Sequence, residues 1–277
     1  MTLSRADTNR LLESASLRAK RALGQNFVVD PNTVRRIARL ARIDQHSHVI
    51  EIGAVLGALT LALAETGADI TSVEVDDSLI PLLTGNVEEC GNVRIVHADA
   101  MSLDWTSVLG DVDDWVLVAN LPYNVATPLV ADILDHVPAV KRMLVMVQKE
   151  VGERFVARPS AEAYGALSVK VAFHATSSIA GLVPASVFLP RPNVESALVE
   201  IIRRTDPMAP DVDPTSLFRL VRAGFAKRRK MLRGAMAGIV DVADFECAGI
   251  APTARAEELS VDDWIRLARC TRDRSAI

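Results

Sequence analysis

HVIEIGAVLGALTLALAETGADITSVEVDD, residues 48–77, decides the fold. It opens on a short β-branched run, HVIEI, turns at Gly53 to Gly57, continues through ALTLALAETG at helical length and periodicity, and closes on a second β-branched run, ADITSVEV. A strand, a glycine turn, a helix and a second strand form the βαβ unit of a parallel sheet. Outward from it, NVRIVHA (92–98), DWVLVAN (114–120) and RMLVMVQK (142–149) read as further buried strands, with DDSLIPLLTGNVEEC as a helical connection. Upstream, Asp30-Pro31 followed by Val34, Ile37, Ala38 and Ala41 supplies an N-cap, a first-turn proline and apolar residues at helical spacing. After Gly165 a helical stretch leads to TSSIAGLV (176–183) and SALVEIIRR (196–204), read as two strands at the sheet edge. RTDPMAPDVDP (204–214) has little to bury and marks a domain boundary, and beyond it the pattern is helical. The expectation is a doubly wound α/β domain over 1–205, with an N-terminal arm over 1–30, and a small all-α domain over 206–277.

The 277 residues are 49% hydrophobic and 24% charged, which excludes a disordered chain and a disulfide miniprotein. No apolar run approaches the roughly 20 residues that span a bilayer. The N-terminus lacks the apolar core of a secretory signal, so a cytoplasmic protein is expected. Cys90, Cys247 and Cys270 are odd in number and outside metal-ligand spacing; separate thiols in a reducing compartment are expected, and no metal. Charge is unevenly spread. Residues 43–140 hold Arg94 against sixteen acidic side chains, whereas the remainder of the chain is basic. Such a split marks surfaces with different partners, one suited to a cation and one to a polyanion.

Polar residues end four successive strands. The first ends in Glu51-Ile52-Gly53. The second ends in Glu74-Val75-Asp76, with Glu74 21 residues after Gly53, where a carboxylate can accept hydrogen bonds from ribose hydroxyls. The third ends in Asp99-Ala100, placed for an adenine amino group, and the fourth in Asn120-Leu121-Pro122-Tyr123. Singly, each suits a cap or a turn. Jointly they line the crevice beyond the carboxyl ends of an open sheet, where such folds bind ligands.

With Gly24-Gln25-Asn26-Phe27, Phe188-Leu189-Pro190-Arg191-Pro192-Asn193-Val194 and Arg228-Arg229-Lys230-Met231-Leu232-Arg233 added, these motifs resemble those of the small-subunit ribosomal RNA adenine dimethyltransferases, from about residue 17 to 270. The resemblance implies a Rossmann-like class I methyltransferase sheet with a small all-α C-terminal domain. It implies S-adenosylmethionine as methyl donor, contacted by Asn26, Val28, Gly53, Glu74, Asp99 and Asn120, and a catalytic set of Asn120, Leu121, Tyr123 and Phe188. The exocyclic amine of adenine is a poor nucleophile because its lone pair is delocalised into the ring. Acceptors on Asn120 and the Leu121 carbonyl can hold its hydrogens and aim the lone pair, while Tyr123, and by resemblance Phe188, stack on a flipped base, worth about 1–3 kcal/mol per base. The sequence departs from the family's Gly-Pro-Gly-x-Gly loop at Gly53-Ala54-Val55-Leu56-Gly57. A β-branched valine disfavours positive φ, so either the loop adapts or donor binding is weakened, in which case Val55→Gly tightens it.

Arg222, Lys227, Arg228, Arg229, Lys230 and Arg233 form a run without an acidic residue, and with Arg18, Lys20 and Arg21 they suit an RNA backbone. Duplex RNA offers little base readout, which favours a loop target. The reading is dimethylation of two adjacent adenines in a hairpin loop near the 3′ end of small-subunit rRNA during ribosome biogenesis, by a monomer. Its rivals are a large-subunit methyltransferase of the macrolide-resistance type and a ribosome-assembly factor whose donor binding is impaired at Ala54 and Val55.

Overall fold

Why the 48–77 segment folds as it does is visible in a computed structural model of the chain, which describes residues 2–122, 125–227 and 229–272. The strands are β1 (Phe27–Val28), β2 (His48–Ile52), β3 (Asp69–Glu74), β4 (Val93–His97), β5 (Trp115–Asn120), β6 (Val140–Gln148), β7 (Ala175–Val183), β8 (Phe188–Leu189) and β9 (Ser196–Arg203). Seven of them form one sheet in the order β4-β3-β2-β5-β6-β9-β7, while β1 and β8 pair antiparallel as a short separate ladder. The five strands from β2 to β6 run parallel, and β9 returns antiparallel to β6. The central strands read as near-continuous Val, Ile and Leu because both faces of a parallel sheet are covered. Val49, Ile50, Leu117, Val118, Val145 and Val147 are accordingly buried.

Helices fill the connections: α1 (Arg5–Ser14), α2 (Pro31–Leu40), α3 (Ala58–Ala64), α4 (Ile80–Val87), α5 (Trp105–Leu109), α6 (Ala126–His136) and α7 (Lys149–Val156). α2 begins as its sequence dictates, with the Asp30 carboxylate accepting the Thr33 N–H at 3.0 Å and Pro31 in the first turn. Its Val34, Ile37 and Ala38 pack with Leu59, Ala62 and Leu63 of α3 against Val49, Val118 and Leu144 of the sheet. None of the helices is long and apolar enough to cross a membrane among the described residues.

The remaining helices are α8 (Ala166–His174), α9 (Pro214–Ala226), α10 (Leu232–Ala235), α11 (Val242–Ala248) and α12 (Val261–Arg272). The chain divides into two compact units, residues 1–152 with 178–203, and residues 153–177 with 204–277. The second unit resumes at Arg204, the start of the proline- and aspartate-rich segment, but it also claims residues 153–177, which the sequence pattern places in the first domain. The reason is side-chain packing. Tyr164, Val169 and Phe173 are buried in one cluster with Leu217, Phe218, Leu232, Phe245 and Trp264. The Phe173 and Phe218 rings meet edge to face at 5.5 Å, and the Tyr164 hydroxyl donates to the Leu259 carbonyl at 2.7 Å. A helix between two strands looks like an ordinary sheet crossover in sequence, and here it is not one.

The cysteine reading is also corrected. Cys247 of α11 and Cys270 of α12 form a disulfide, with Cα atoms 6.0 Å apart, and Cys90 is the free thiol. Packing of α11 on α12 closes a sequence separation that carries no pairing signal of its own.

Candidate active site at the carboxyl ends of the strands

The turn after β2 supports everything near it. Gly53 has φ +77°, and a Cβ there would lie 3.7 Å from the Asn120 carbonyl, so the first and fourth strand ends approach closely. Val55 adopts φ +48°. The loop therefore keeps a left-handed residue at this point with valine in it, at a strain of about 1–2 kcal/mol. Two interactions offset that strain. The Val55 N–H donates to Glu74 Oε2 at 2.8 Å, and its side chain packs against the cluster of Leu12, Leu56 and Leu79. Because the backbone already occupies the left-handed region, Val55→Gly is expected to leave donor affinity within about threefold of the native value. Calorimetric titration of both proteins checks this, and a tenfold tightening would show that the valine side chain obstructs the donor.

Glu74 is buried, and its other oxygen accepts the Asp76 N–H at 2.8 Å. Burial pushes its pKa above the ordinary carboxylate value, while these two N–H groups pull against that rise. Its carboxylate is thus fixed in orientation, with a second lone pair on each oxygen still able to accept. Glu51 is sealed off, accepting from Thr60 Oγ1 at 2.6 Å and Ser72 Oγ at 2.7 Å, and burial raises its pKa to about 7. It ties the end of β2 to α3 and β3 rather than facing a ligand.

Two adjoining cavities open beyond these strand ends, sharing Leu23, Gly53, Val75 and Pro122. The first is further lined by residues 24–26, Val55, Glu74, Asn120 and Leu121. The second is further lined by Ala22, Ile52, Ala98 to Met101 and Val125. Asp99 borders the second cavity and also caps the following turn, accepting the Met101 N–H at 2.9 Å. Asn120 Nδ2 donates to the Asn26 carbonyl at 2.9 Å. That bond sets the amide orientation and leaves Oδ1 as the acceptor.

The structure therefore brings together Asn26, Gly53, Glu74, Asp99, Asn120 and Leu121. Val28 and Phe188 are not among them. These two pair across the β1–β8 ladder and are both buried in the core of the first unit, so the Phe188 ring is committed to packing and is no second stacking face in this arrangement. Tyr123 lies outside the described residues. Sequence reasoning missed the apolar lining, Leu23, Val75, Met101 and Val125. Val75 and Met101 stand out by their exposure: each is a large apolar side chain more than 40% exposed, Val75 directly after β3 and Met101 in the 3-10 turn Ala100–Ser102 that follows β4.

In the second unit Arg222, Lys227, Arg229, Lys230 and Arg233 are exposed, and Lys227, Arg229 and Lys230 border a shallow depression. Arg228 lies outside the described residues.

The sequence pattern of the family described as Ribosomal RNA adenine dimethylase matches residues 16–273. The chain belongs to that family. Relatives named Ribosomal RNA small subunit methyltransferase A are 41% identical in Bifidobacterium adolescentis, over 96% of this chain and 93% of that one, and 42% identical in Streptomyces avermitilis, over 96% and 92%. Among solved structures, a dimethyladenosine transferase from Plasmodium falciparum superposes with a TM-score of 0.77 at 22% identity, over 89% of this chain and 97% of that one. The 23S rRNA methyltransferase ErmE gives 0.68 at 22% identity, over 89% and 99%. Both share the α/β fold. Membership of the dimethylase family makes this chain an rRNA adenine N6,N6-dimethyltransferase with S-adenosylmethionine as its methyl donor. The two cavities fit such a donor: a fixed, buried carboxylate at the end of β3, Asp99 at the end of β4 and an apolar wall between them.

Proposed function

We propose that this protein dimethylates two adjacent adenines in a hairpin loop near the 3′ end of small-subunit rRNA, acting as a cytoplasmic monomer during ribosome biogenesis. The carrying observation is Asn120, whose amide is turned by the Asn26 carbonyl so that Oδ1 is left for an amine hydrogen. Support for the small subunit comes from the relatives that match almost end to end, whereas the likeness to a large-subunit enzyme is one of fold.

In this reading Asn26, Gly53, Glu74 and Asp99 hold the donor, Glu74 taking the ribose hydroxyls and Asp99 the adenine amino group. S-adenosylmethionine, when bound, supplies an electrophilic methyl group. Asn120 Oδ1 and the Leu121 carbonyl each accept one hydrogen of the target amine, drawing its nitrogen out of conjugation and toward a tetrahedral shape. Pro122 has no N–H to compete for those acceptors. The second methylation uses the same acceptors on the one remaining hydrogen. Once alkylated, the amine is acidic enough to lose its proton to water, so no strong base is needed. Incubation of unmethylated small subunits with labelled donor is expected to place label on two neighbouring adenines of the 3′ hairpin. Label on large-subunit RNA alone, or on neither, would overturn the assignment.

The exposed cations of the second unit are proposed to hold RNA phosphates. Arg229→Ala with Lys230→Ala is expected to weaken binding to the small subunit and to lower the slope of log affinity against log salt by roughly 0.7–0.9 for each phosphate left without its cation. A slope equal to the native one would place both side chains away from RNA.

A further inference from the structure

Asp76 lines neither cavity, and its side chain is only 1% exposed. It nevertheless gathers more polar partners than Glu74, Asp99 or Asn120. Lys20 Nζ lies 2.6 Å from Oδ1, Gln25 Nε2 lies 2.7 Å from Oδ2, and Ser78 donates its Oγ–H at 2.6 Å and its N–H at 3.1 Å to Oδ1. Burial alone would raise its pKa, but hydrogen bonds from Lys20, Ser78 and Gln25 outweigh burial and hold it at about 2.

The arm closes on itself around this carboxylate. Gln25 Oε1 accepts the Lys20 N–H at 2.8 Å, and the Lys20 carbonyl accepts the N–H groups of Leu23 and Gln25 at 3.1 and 3.3 Å. Between α1 and β1 the segment has one 3-10 turn, Arg21–Leu23, and no ladder to hold it. What it supplies is the wall of the crevice: Ala22 and Leu23 on the second cavity, Leu23 to Asn26 on the first. Two ends of the segment are therefore fastened to one charge, while its middle lines the crevice.

We propose that Asp76 is a positioning residue for the donor, its carboxylate latching residues 20–25 in the place where they wall the crevice. The inference rests on the donor occupying the two cavities. The carboxylate acts through Lys20 and Gln25 and touches neither donor nor adenine. Loss of a hydrogen bond to a charged group sets the scale at about tenfold or more in affinity.

Asp76→Asn keeps the shape and removes the charge, and Lys20→Met, at a half-exposed position on the arm, removes one fastening without touching the sheet. For Asp76→Asn, calorimetry is expected to show donor Kd raised about tenfold or more, with kcat at saturating donor within threefold, because a bound donor holds the segment from within. In the donor-free protein, amide hydrogen exchange over residues 20–26 is expected to speed up about tenfold while β2 to β5 keep native rates. Lys20→Met is expected to show the same pattern at about threefold in both measurements. Native Kd and native exchange in both variants would overturn the latch, as would exchange accelerated equally in the strands, which would mark Asp76 as a general structural residue. If Asp76→Asn does not fold, Lys20→Met decides by the same criteria. Glu74→Ala titrated alongside separates the two layers: lost affinity there with native affinity in the latch variants sinks the latch alone, whereas native affinity in Glu74→Ala sinks the donor site and the latch with it.

Discussion

Asn120→Ala is expected to lower methyl transfer by about 10²–10³-fold while raising donor Kd by less than about tenfold, the smaller effect arising because its amide also bonds Asn26 beside the donor cavity. The size follows from what loss of a single preorganised hydrogen-bonding group costs when it acts on the reacting centre rather than on ground-state binding. In the native protein the Asn26 carbonyl turns the Asn120 amide, so the acceptor is in place before the adenine arrives. Alanine leaves the Leu121 carbonyl as the sole acceptor, and the amine lone pair stays partly in conjugation with the ring. Single-turnover methylation with saturating donor and unmethylated subunits reads the chemical step, and calorimetry reads the donor. Equal losses in both would show that Asn120 shapes the crevice and does not act on the amine.

Glu74→Ala is expected to raise donor Kd by about 10- to 150-fold, corresponding to about 1.5–3 kcal/mol for hydrogen bonds lost from a charged acceptor. Two effects act in the same direction. The ribose hydroxyls lose their acceptor, and the Val55 N–H loses the partner that holds a strained residue in the left-handed region. A urea titration of the variant separates loss of binding from loss of the fold: a midpoint near native with weakened donor binding places the effect in the site. Donor binding at native strength would remove Glu74 from the donor site.

The sheet and most strand ends are legible in the sequence because their signals are local. β-branched runs of five to nine residues, Gly53 at a turn and acidic residues closing β3 and the turn after β4 can each be read without knowing what lies across the fold. What escapes is what depends on distant partners. The crevice wall at Leu23 to Asn26 is marked by its Gly24-Gln25-Asn26-Phe27 motif, but the motif does not show that Asp76, some fifty residues later, holds it. Phe188 sits in a motif that suggests stacking, yet pairing of β8 with β1 turns it into the core. Val55 reads as a violation of a local rule, and only the Glu74 carboxylate shows how the rule is overridden. The acceptor role proposed for Asn120 comes from its motif, whereas the carbonyl that orients its amide belongs to a residue 94 positions upstream.

The helical unit is assembled from two stretches of chain, residues 153–177 and 204–277, with most of β7 and all of β8 and β9 between them. During synthesis Tyr164, Val169 and Phe173 emerge well before Leu217, Phe245 and Trp264, the residues that cover them. At a typical elongation rate of about 5–20 residues per second that is an interval of several seconds with aromatic side chains exposed to solvent. Nor does one cut separate the units: a fragment ending near residue 205 carries those uncovered aromatics, and one starting there lacks part of its own core. The enzyme must leave the ribosome as a whole chain before its second unit can close.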